Sequence, residues 1–363
     1  MAMAPTQTVD FHRLVRDIRT WGRSLGFDQV GITGIDLADD ERRLLDWLAQ
    51  GRHGAMHYME QHGTRRSRPA DLVAGTLRVI SVRMNYLPRD AAVMESVLAD
   101  PALGYIARYA LGRDYHRLMR TRLQALARHI ESVTGAFGYR AFADSAPVLE
   151  KPLARNAGLG WIGKHTNLVS RDAGSWFFLG ELYTDLPLPP DTPATDHCGR
   201  CRRCIDACPT GAIVAPYELD ARRCIAYLTI ELRTSIPVEL RPLIGNRIFG
   251  CDDCQAVCPW NRFAPTVAPA AFTPRHGLDA PALAELLGWS EEEFLHRTEG
   301  SALRRIGYEC WLRNIAVALG NAPHDPAAVA ALTVCARNPS ALVREHVHWA
   351  LERQQHAPAS TAA

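Results

Sequence analysis

The chain has 363 residues, 47% of them hydrophobic, and a formal net charge of +2 at pH 7. That length buries a full core and implies two or three domains, while the near balance of charge excludes a strongly polybasic protein. No apolar run approaches the roughly 18 residues of a membrane span. MAMAPTQTVDFHRL has neither a charged n-region nor an apolar h-region, and Arg42-Arg43 and Arg65-Arg66 lie too deep for export signals, so the cytoplasm is the default address.

From Val9 to Leu25, residues Phe11, Leu14, Val15, Ile18, Trp21 and Leu25 share one helical face that Gly26 closes, and FDQVGIT then reads as a strand. RVISVRMNY (78–86) reads as a strand, about Asp114 to Val133 as an amphipathic helix, and YRAFA (139–143) and SWFFLGELYT (175–184) as further strands. Helices alternating with strands imply an α/β region in which helices cover a sheet. LPLPPDTPATD (186–196) is a linker by composition, and a second proline-rich stretch, 264–277, separates the cysteines from an all-helical remainder. In that remainder ALRRIGYECWLRNIAVALGNA and PSALVREHVHWALERQ read as related units about 31 residues apart, with Arg313 matching Arg344, which suggests HEAT-like stacking. The expected division is 1–190, 191–265 and 266–363.

Only two of the 41 basic residues are lysines, Lys151 and Lys164, and both fall in LEKPLARNAGLGWIGKHTN. Compositional drift toward arginine is the plain explanation. An ammonium is nevertheless not interchangeable with a guanidinium, so this stretch is a candidate site.

Eight of the ten cysteines lie between 198 and 258, where a reducing compartment favours metal over disulfide. HCGRCRRCIDACPTGAI places Cys198, Cys201, Cys204 and Cys208 in the C-x2-C-x2-C-x3-C-P spacing, in which three thiolates hold one [4Fe–4S] cube and the fourth turns to another. FGCDDCQAVCPWN supplies Cys251, Cys254 and Cys258. Zinc is the alternative for C-x2-C pairs, but a triple run with a fourth cysteine before proline favours iron–sulfur. Cys224, the one cysteine between the runs, is the most economical eighth ligand. The pairing rule then sets Cys198, Cys201, Cys204 and Cys258 on one cluster, and Cys208, Cys224, Cys251 and Cys254 on the other. Cys310 and Cys335 read as packed core thiols.

These motifs, together with GRHGAMHYM, AGTLRVISVRMNY, YALGRDYH, ADSAPVLEKPLA, SWFFLGEL, ARRCIAYLTIEL and RRIGYECWLRNIAVALGN, resemble the epoxyqueuosine reductase family over about Phe11 to Asn321. AGTLR at 74–78 departs slightly from the family's PGT. The resemblance implies an α/β N-terminal cobalamin-binding domain, a ferredoxin-like domain with two [4Fe-4S] clusters and an all-α HEAT-like C-terminal domain that contacts tRNA. It also implies removal of an epoxide oxygen from a tRNA-borne deazaguanine nucleotide, with two electrons and two protons consumed and water released. A reduced donor such as flavodoxin or ferredoxin would feed a monomer with no membrane contact.

An alkoxide leaves poorly, so an acid must protonate the epoxide oxygen. The resemblance gives that role to Asp144. From the residues alone, Asp144 before Ser-Ala-Pro reads as a turn or helix cap, and an acid would need its pKa raised by burial. Arg66 is a candidate for a corrin amide or phosphate contact, or a solvated arginine. Lys164, His165, Thr166 and Asn167 follow a glycine-rich turn and are candidate cofactor contacts, as are Ser175 and Asp253. Should Asp144 fail as the acid, Tyr105, Tyr109, Asp114, Tyr115 and His116 are the next candidates. Arg304, Arg305, Arg313 and Arg344 are candidate phosphate contacts. A reductive dehalogenase and a non-catalytic electron carrier are the competing readings.

Overall fold

The computed structural model describes residues 9–266 and 269–356. Outside the described residues lie 1–8, half of the stretch read for an N-terminal leader, 267–268 in the second proline-rich stretch, and 357–363 at the end of the expected helical region. Among the described residues no helix is long and apolar enough to cross a membrane.

The helix Phe11–Ser24 starts where Asp10 accepts the backbone N–H groups of His12 and Arg13 at 2.9 and 3.1 Å, an N-cap that satisfies two otherwise orphaned donors. It buries Leu14, Val15 and Ile18. Four strands follow in the spatial order Gln29–Thr33, Arg78–Asn85, Phe177–Thr184, Tyr139–Phe142, and every pairing is antiparallel. The two central strands are buried along nearly their whole length, which is why they read as apolar runs rather than as an alternation. Phe11–Ser24 and Tyr115–Thr134 cover one face, with Ile18, Met119, Leu123 and Ile130 in one core with Ile32, Ile80, Val82 and Leu182. The other face carries Val79 and Tyr183, packed with Phe142 and Leu153. Gly31 is required here, because a Cβ at that position would lie 2.1 Å from the Ala157 carbonyl oxygen.

The proline-rich stretch 186–196 is tied down. Asp191 accepts the Ile32 N–H at 2.8 Å and forms an ion pair with Arg19, so this connection is fastened along the sheet. The cysteine region is likewise joined to the N-terminal part, since Arg247–Phe249 pairs in parallel with Tyr105–Ile106. Ile106, Ala110 and Leu111 share a core with Ile248, Leu283, Trp311 and Ile315, which carries the packing on into the C-terminal helices.

Those helices are Leu283–Leu287, Glu291–Arg297, Gly307–Asn321, Pro326–Cys335 and Ala341–His356. Gly307–Asn321 is almost wholly buried and packs on Ala341–His356, where Gly320 meets Trp349 and Ala350. Cys310 is buried in this core and Cys335 packs against it, as expected of core thiols. Arg313 corrects the reading made from sequence. It is 0% exposed and donates to the carbonyls of Leu232, Thr234 and Leu228 at 2.7–2.8 Å, so it contacts no phosphate. Arg344 is half-buried and donates to the carbonyls of Asn338 and Pro339, a different environment from that of its sequence match. Arg304 and Arg305 are exposed.

Arg313→Met is therefore expected to destabilise the protein by about 3 kcal/mol or more, because the buried Leu228 carbonyl and the Leu232 and Thr234 carbonyls lose their donor. Arg304→Ala should change stability by less than about 0.5 kcal/mol. Denaturant midpoints measure both, and an Arg313→Met protein as stable as the wild type would contradict this account.

Candidate functional site

Two short helices, Arg203–Asp206 and Asp253–Ala256, each follow a C-x2-C turn and pack against one another, which brings the two cysteine runs together. Cys198, Cys201, Cys204 and Cys258 line one hollow of about 280 Å³. Burial, and then the proximity of Cys198, Cys258 and Cys201, push the Cys204 thiol up to about 11. Cys254 is raised well above the usual thiol range, first by burial and then by neighbours that include Cys224 and Cys208. Cys224 and Cys251 pack beside one hydrophobic cluster formed around Ile225 and Leu228. Among the described residues no three cysteine sulfurs lie within 4.8 Å of one another, whereas tetrahedral zinc at about 2.3 Å would draw its sulfurs to within about 3.8 Å. The donor set fits a larger, all-thiolate group. Lys164 fastens the first loop, with Nζ donating to the carbonyls of Gly199 at 2.7 Å and Cys201 at 2.9 Å.

A second hollow, of about 130 Å³, is lined by Tyr86, Tyr115, Asp144, Glu150, Lys151, Asn167, Ser175, Phe177, Phe178 and Gln255, among others. Asp144 stands at its rim with φ +52°, and its side chain is 49% exposed. Its Oδ2 accepts from Tyr115 Oη and faces His116 Nε2, both at 2.9 Å. The following helix, Glu150–Asn156, begins at Leu149 with no side-chain cap. The cap reading of Asp144 therefore fails.

His116 Nδ1 meets Asp114 Oδ1 at 2.6 Å, and Arg305 Nη2 donates to Asp114 Oδ2 at 3.0 Å. An ionised carboxylate only accepts, so the carboxylate on each ring nitrogen favours a proton there, while Arg305, itself only a donor, stands 2.9 Å from Nδ1 and 3.2 Å from Nε2 and opposes it. Burial alone would lower the His116 pKa, but the hydrogen bonds to Asp114 and Asp144 outweigh it and raise it. Asp144 shows the converse. Burial would raise it, and the His116 and Tyr115 hydrogen bonds hold it below the usual carboxylate range. The expectation of an upshifted Asp144 is thus corrected. The upshifted carboxyls are Glu150, pushed to about 8 by burial and then by the charge of Asp144, and Glu181, raised well above its ordinary value chiefly by burial.

The other sequence candidates are dispersed. Asn167 and Ser175 reach the Asp144 hollow, while Lys164 and His165 border the thiol hollow instead. Burial, and then the charge of Lys151, hold His165 down to about 4, a neutral imidazole. Thr166, at φ +67°, and Asn167 are gripped by Lys151, whose Nζ donates to Thr166 O and Asn167 Oδ1 at 3.1 Å. Arg66 is buried, donates to Tyr58 O at 2.8 Å and leaves Nε without a partner. Asp253 pairs with Arg247 and accepts from Cys251 Sγ at 2.6 Å, away from the Asp144 hollow.

Sequence reading missed Glu150, Glu181 and Gln255. Glu181 is 0% exposed, neither of its carboxyl oxygens has a partner, and it lies opposite Ser81 in the central strand pair. A glutamate inside the apolar run SWFFLGELYT was the available signal.

The arrangement resembles known proteins over most of its length. The model of the 4Fe-4S double cluster binding domain matches residues 197–261, and that of epoxyqueuosine reductase QueG matches 66–145. Epoxyqueuosine reductase of Pseudomonas aeruginosa is 63% identical, with 94% of each chain covered, and that of Escherichia coli is 56% identical over 96% of this chain and 92% of its own. A crystal structure of epoxyqueuosine reductase with an epoxyqueuosine-modified tRNA-Tyr stem loop superposes with TM-score 0.88 at 29% identity, covering 95% of this chain and 91% of that one. A Bacillus subtilis epoxyqueuosine reductase, in which an aspartate-bearing catalytic loop is swung out of the active site, gives 0.85 at 28%, with 95% and 91% covered. At such identity and coverage, with both the thiol-rich core and the Asp144 region falling inside the matched segments, this chain belongs to the epoxyqueuosine reductase family.

Proposed function

We propose that this chain is an epoxyqueuosine reductase that removes the epoxide oxygen of epoxyqueuosine in the anticodon of tRNA to give queuosine. It would act as a cytoplasmic monomer. The observation that carries the reading is the continuity of the acid site with the thiol core. Lys151 and Gln255 line the Asp144 hollow, Lys151 feels the charges of Cys254 and Cys224, and Gln255 follows Cys254 in the chain.

In this reading Cys198, Cys201, Cys204 and Cys258 hold one [4Fe–4S] cluster and Cys208, Cys224, Cys251 and Cys254 the other. An α/β region to about residue 190 carries the catalytic hollow, 191–265 carries the clusters, and the HEAT-like helical remainder meets tRNA with Arg304 and Arg305. A corrin is larger than this hollow of about 130 Å³, and would meet it with Tyr86, Phe177 and Phe178 as aromatic contacts and Asn167, Ser175 and Gln255 as polar ones. Arg66 lies outside that lining, with its Nε covered by protein and its Nη2 donating to Tyr58 O. Cobalamin bound at the hollow would supply the two electrons.

The residues supply the protons. As the C–O bond breaks, the proton held between His116 Nε2 and Asp144 Oδ2 passes through Asp144 to the epoxide oxygen. Glu150, protonated up to about pH 8 and facing the same hollow, provides the second, and the oxygen departs as water. Tyr115 holds Asp144 in register through its hydroxyl and stacks on Phe178 at 3.8 Å.

Anaerobic, cobalamin-loaded protein given reductant and epoxyqueuosine-bearing stem loop should yield a nucleoside one oxygen lighter by mass spectrometry. An unchanged nucleoside would refute the reading. Asp144→Asn should fold, keep its iron and bind the stem loop, with single-turnover rate reduced by about 10²-fold or more; a near wild-type rate would remove Asp144 from the mechanism.

Cys224→Ala should reduce anaerobic iron content from about eight to about four per chain, with Cys310→Ala unchanged. Retention of both clusters in Cys224→Ala would show that another group completes the site.

Because the folded pKa of Glu150 is raised, the folded protein keeps a proton that the unfolded chain releases above about 4.5. The associated stabilisation is present below that pH and is lost as pH rises toward about 8. Infrared spectra should show a protonated-carboxyl band that disappears through that upper range and is missing from Glu150→Gln. The same titrating band in the variant would assign it elsewhere.

A further inference from the structure

The two thiol sets differ in their access to solvent. Cys201 is exposed, and the first hollow opens between Trp260, His197 and Arg262. In the second set Cys224 and Cys251 are packed beside a hydrophobic cluster, and the chain next to Cys254 leads to the Asp144 hollow through Gln255. Around the first opening the surface is basic. Arg200, Arg202, Arg203 and Arg262 are all exposed, and Arg202 has one partner, Asp206, at 3.6 Å with the two side chains 61% and 65% exposed. Phe263 is 43% exposed beneath the Arg262 guanidinium, and Trp161 packs edge-on to Trp260 at 5.1 Å. A groove of about 1040 Å³, walled by Leu87, Pro88, Val93 and Met94, runs up to the same opening and shares Arg203, Cys258, Pro259 and Arg262 with it.

We propose that this arginine collar and groove are the docking surface for an acidic one-electron carrier protein, which reduces the first cluster there. The inference rests on the reading that Cys198, Cys201, Cys204 and Cys258 hold a cluster. Each encounter moves one electron from the carrier's flavin or iron–sulfur centre to that cluster, so two encounters supply one turnover, and no proton crosses this interface. Charge complementarity selects an acidic partner and makes association dependent on salt. RNA is also an anion, but Arg305 lies on Asp114 at the rim of the catalytic hollow, so the substrate end has arginines of its own.

The test compares the cluster- and cobalamin-loaded wild type with Arg200→Glu/Arg202→Glu, two exposed positions outside both hollows. Turnover is driven either by reduced flavodoxin or [2Fe–2S] ferredoxin, or by photoreduced deazariboflavin, a small uncharged reductant. In the variant the apparent KM for the carrier protein should rise about tenfold or more at low salt, and the wild type should approach the variant as salt is added. The deazariboflavin-driven rate, iron content and stem-loop affinity should stay unchanged. An unchanged carrier KM, or a wild type that accepts electrons from neither carrier, overturns the proposal. A parallel loss of stem-loop affinity also overturns it and assigns the collar to RNA. If the double variant loses iron, Arg200→Gln/Arg202→Gln takes its place, with a rise of about threefold expected and no rise overturning the proposal. No turnover of the wild type with deazariboflavin would instead mean that the proposed reductase function fails.

Discussion

Lys151 sets the geometry of the centre of this molecule. Its ammonium donates to Thr166 O and Asn167 Oδ1, which pins the GKHTN turn. Glu150, Asp144, Cys254 and Cys224 lie around it, and the negative charge any of them carries opposes the effect of burial on its own proton. A confined cation needs compensating anionic groups close by. The carboxyls of the Asp144 hollow and the thiols Cys224 and Cys254 therefore stand near one amine. Lys164 does the same for the first thiol loop through two backbone carbonyls. The two lysines of an otherwise arginine-based chain both sit where a single compact donor meets converging carbonyl oxygens, and a planar guanidinium offers a different donor pattern.

The elements were largely legible in the sequence because their periods are simple. The helices at 11–24 and 115–134 carry an apolar stripe, and the strands at 78–85 and 177–184 are buried along nearly their whole length, their few polar residues, such as Ser81 and Glu181, included. Strand order carries no such local signature, so the all-antiparallel sheet emerged only from the fold. The proline-rich stretch at 186–196 is the irregular connection its composition describes, and it is fastened by Asp191 to Ile32, by the Leu188 carbonyl to Arg78 and by Ala194 to Arg155.

The Asp144 hollow was only partly readable, for an electrostatic reason. Motif resemblance singles out Asp144, but a motif does not report which neighbours control its proton. His116 and Tyr115 approach from a helix 28 and 29 residues away in sequence and lower a pKa that burial would have raised. Arg313 shows the same limit from the opposite direction. An arginine on a helix reads as a solvated cation, and only the fold reveals three carbonyls waiting for its guanidinium.

The parallel pairing of Tyr105–Ile106 with Arg247–Phe249 imposes an order in time. A ribosome adding about 5–20 residues per second reaches Phe249 on the order of ten seconds after Ile106. Throughout that interval Tyr105 lacks Asp252, which in the finished protein accepts its hydroxyl at 2.7 Å and the Arg108 N–H at 2.8 Å. The loop leading to the helix at Tyr115 thus acquires its anchor only as the second cysteine run is synthesised. A nascent chain that stalls before Cys251 lacks the Asp252 anchor of Tyr105 and Arg108, so that this part of the fold can close only with the second cysteine run.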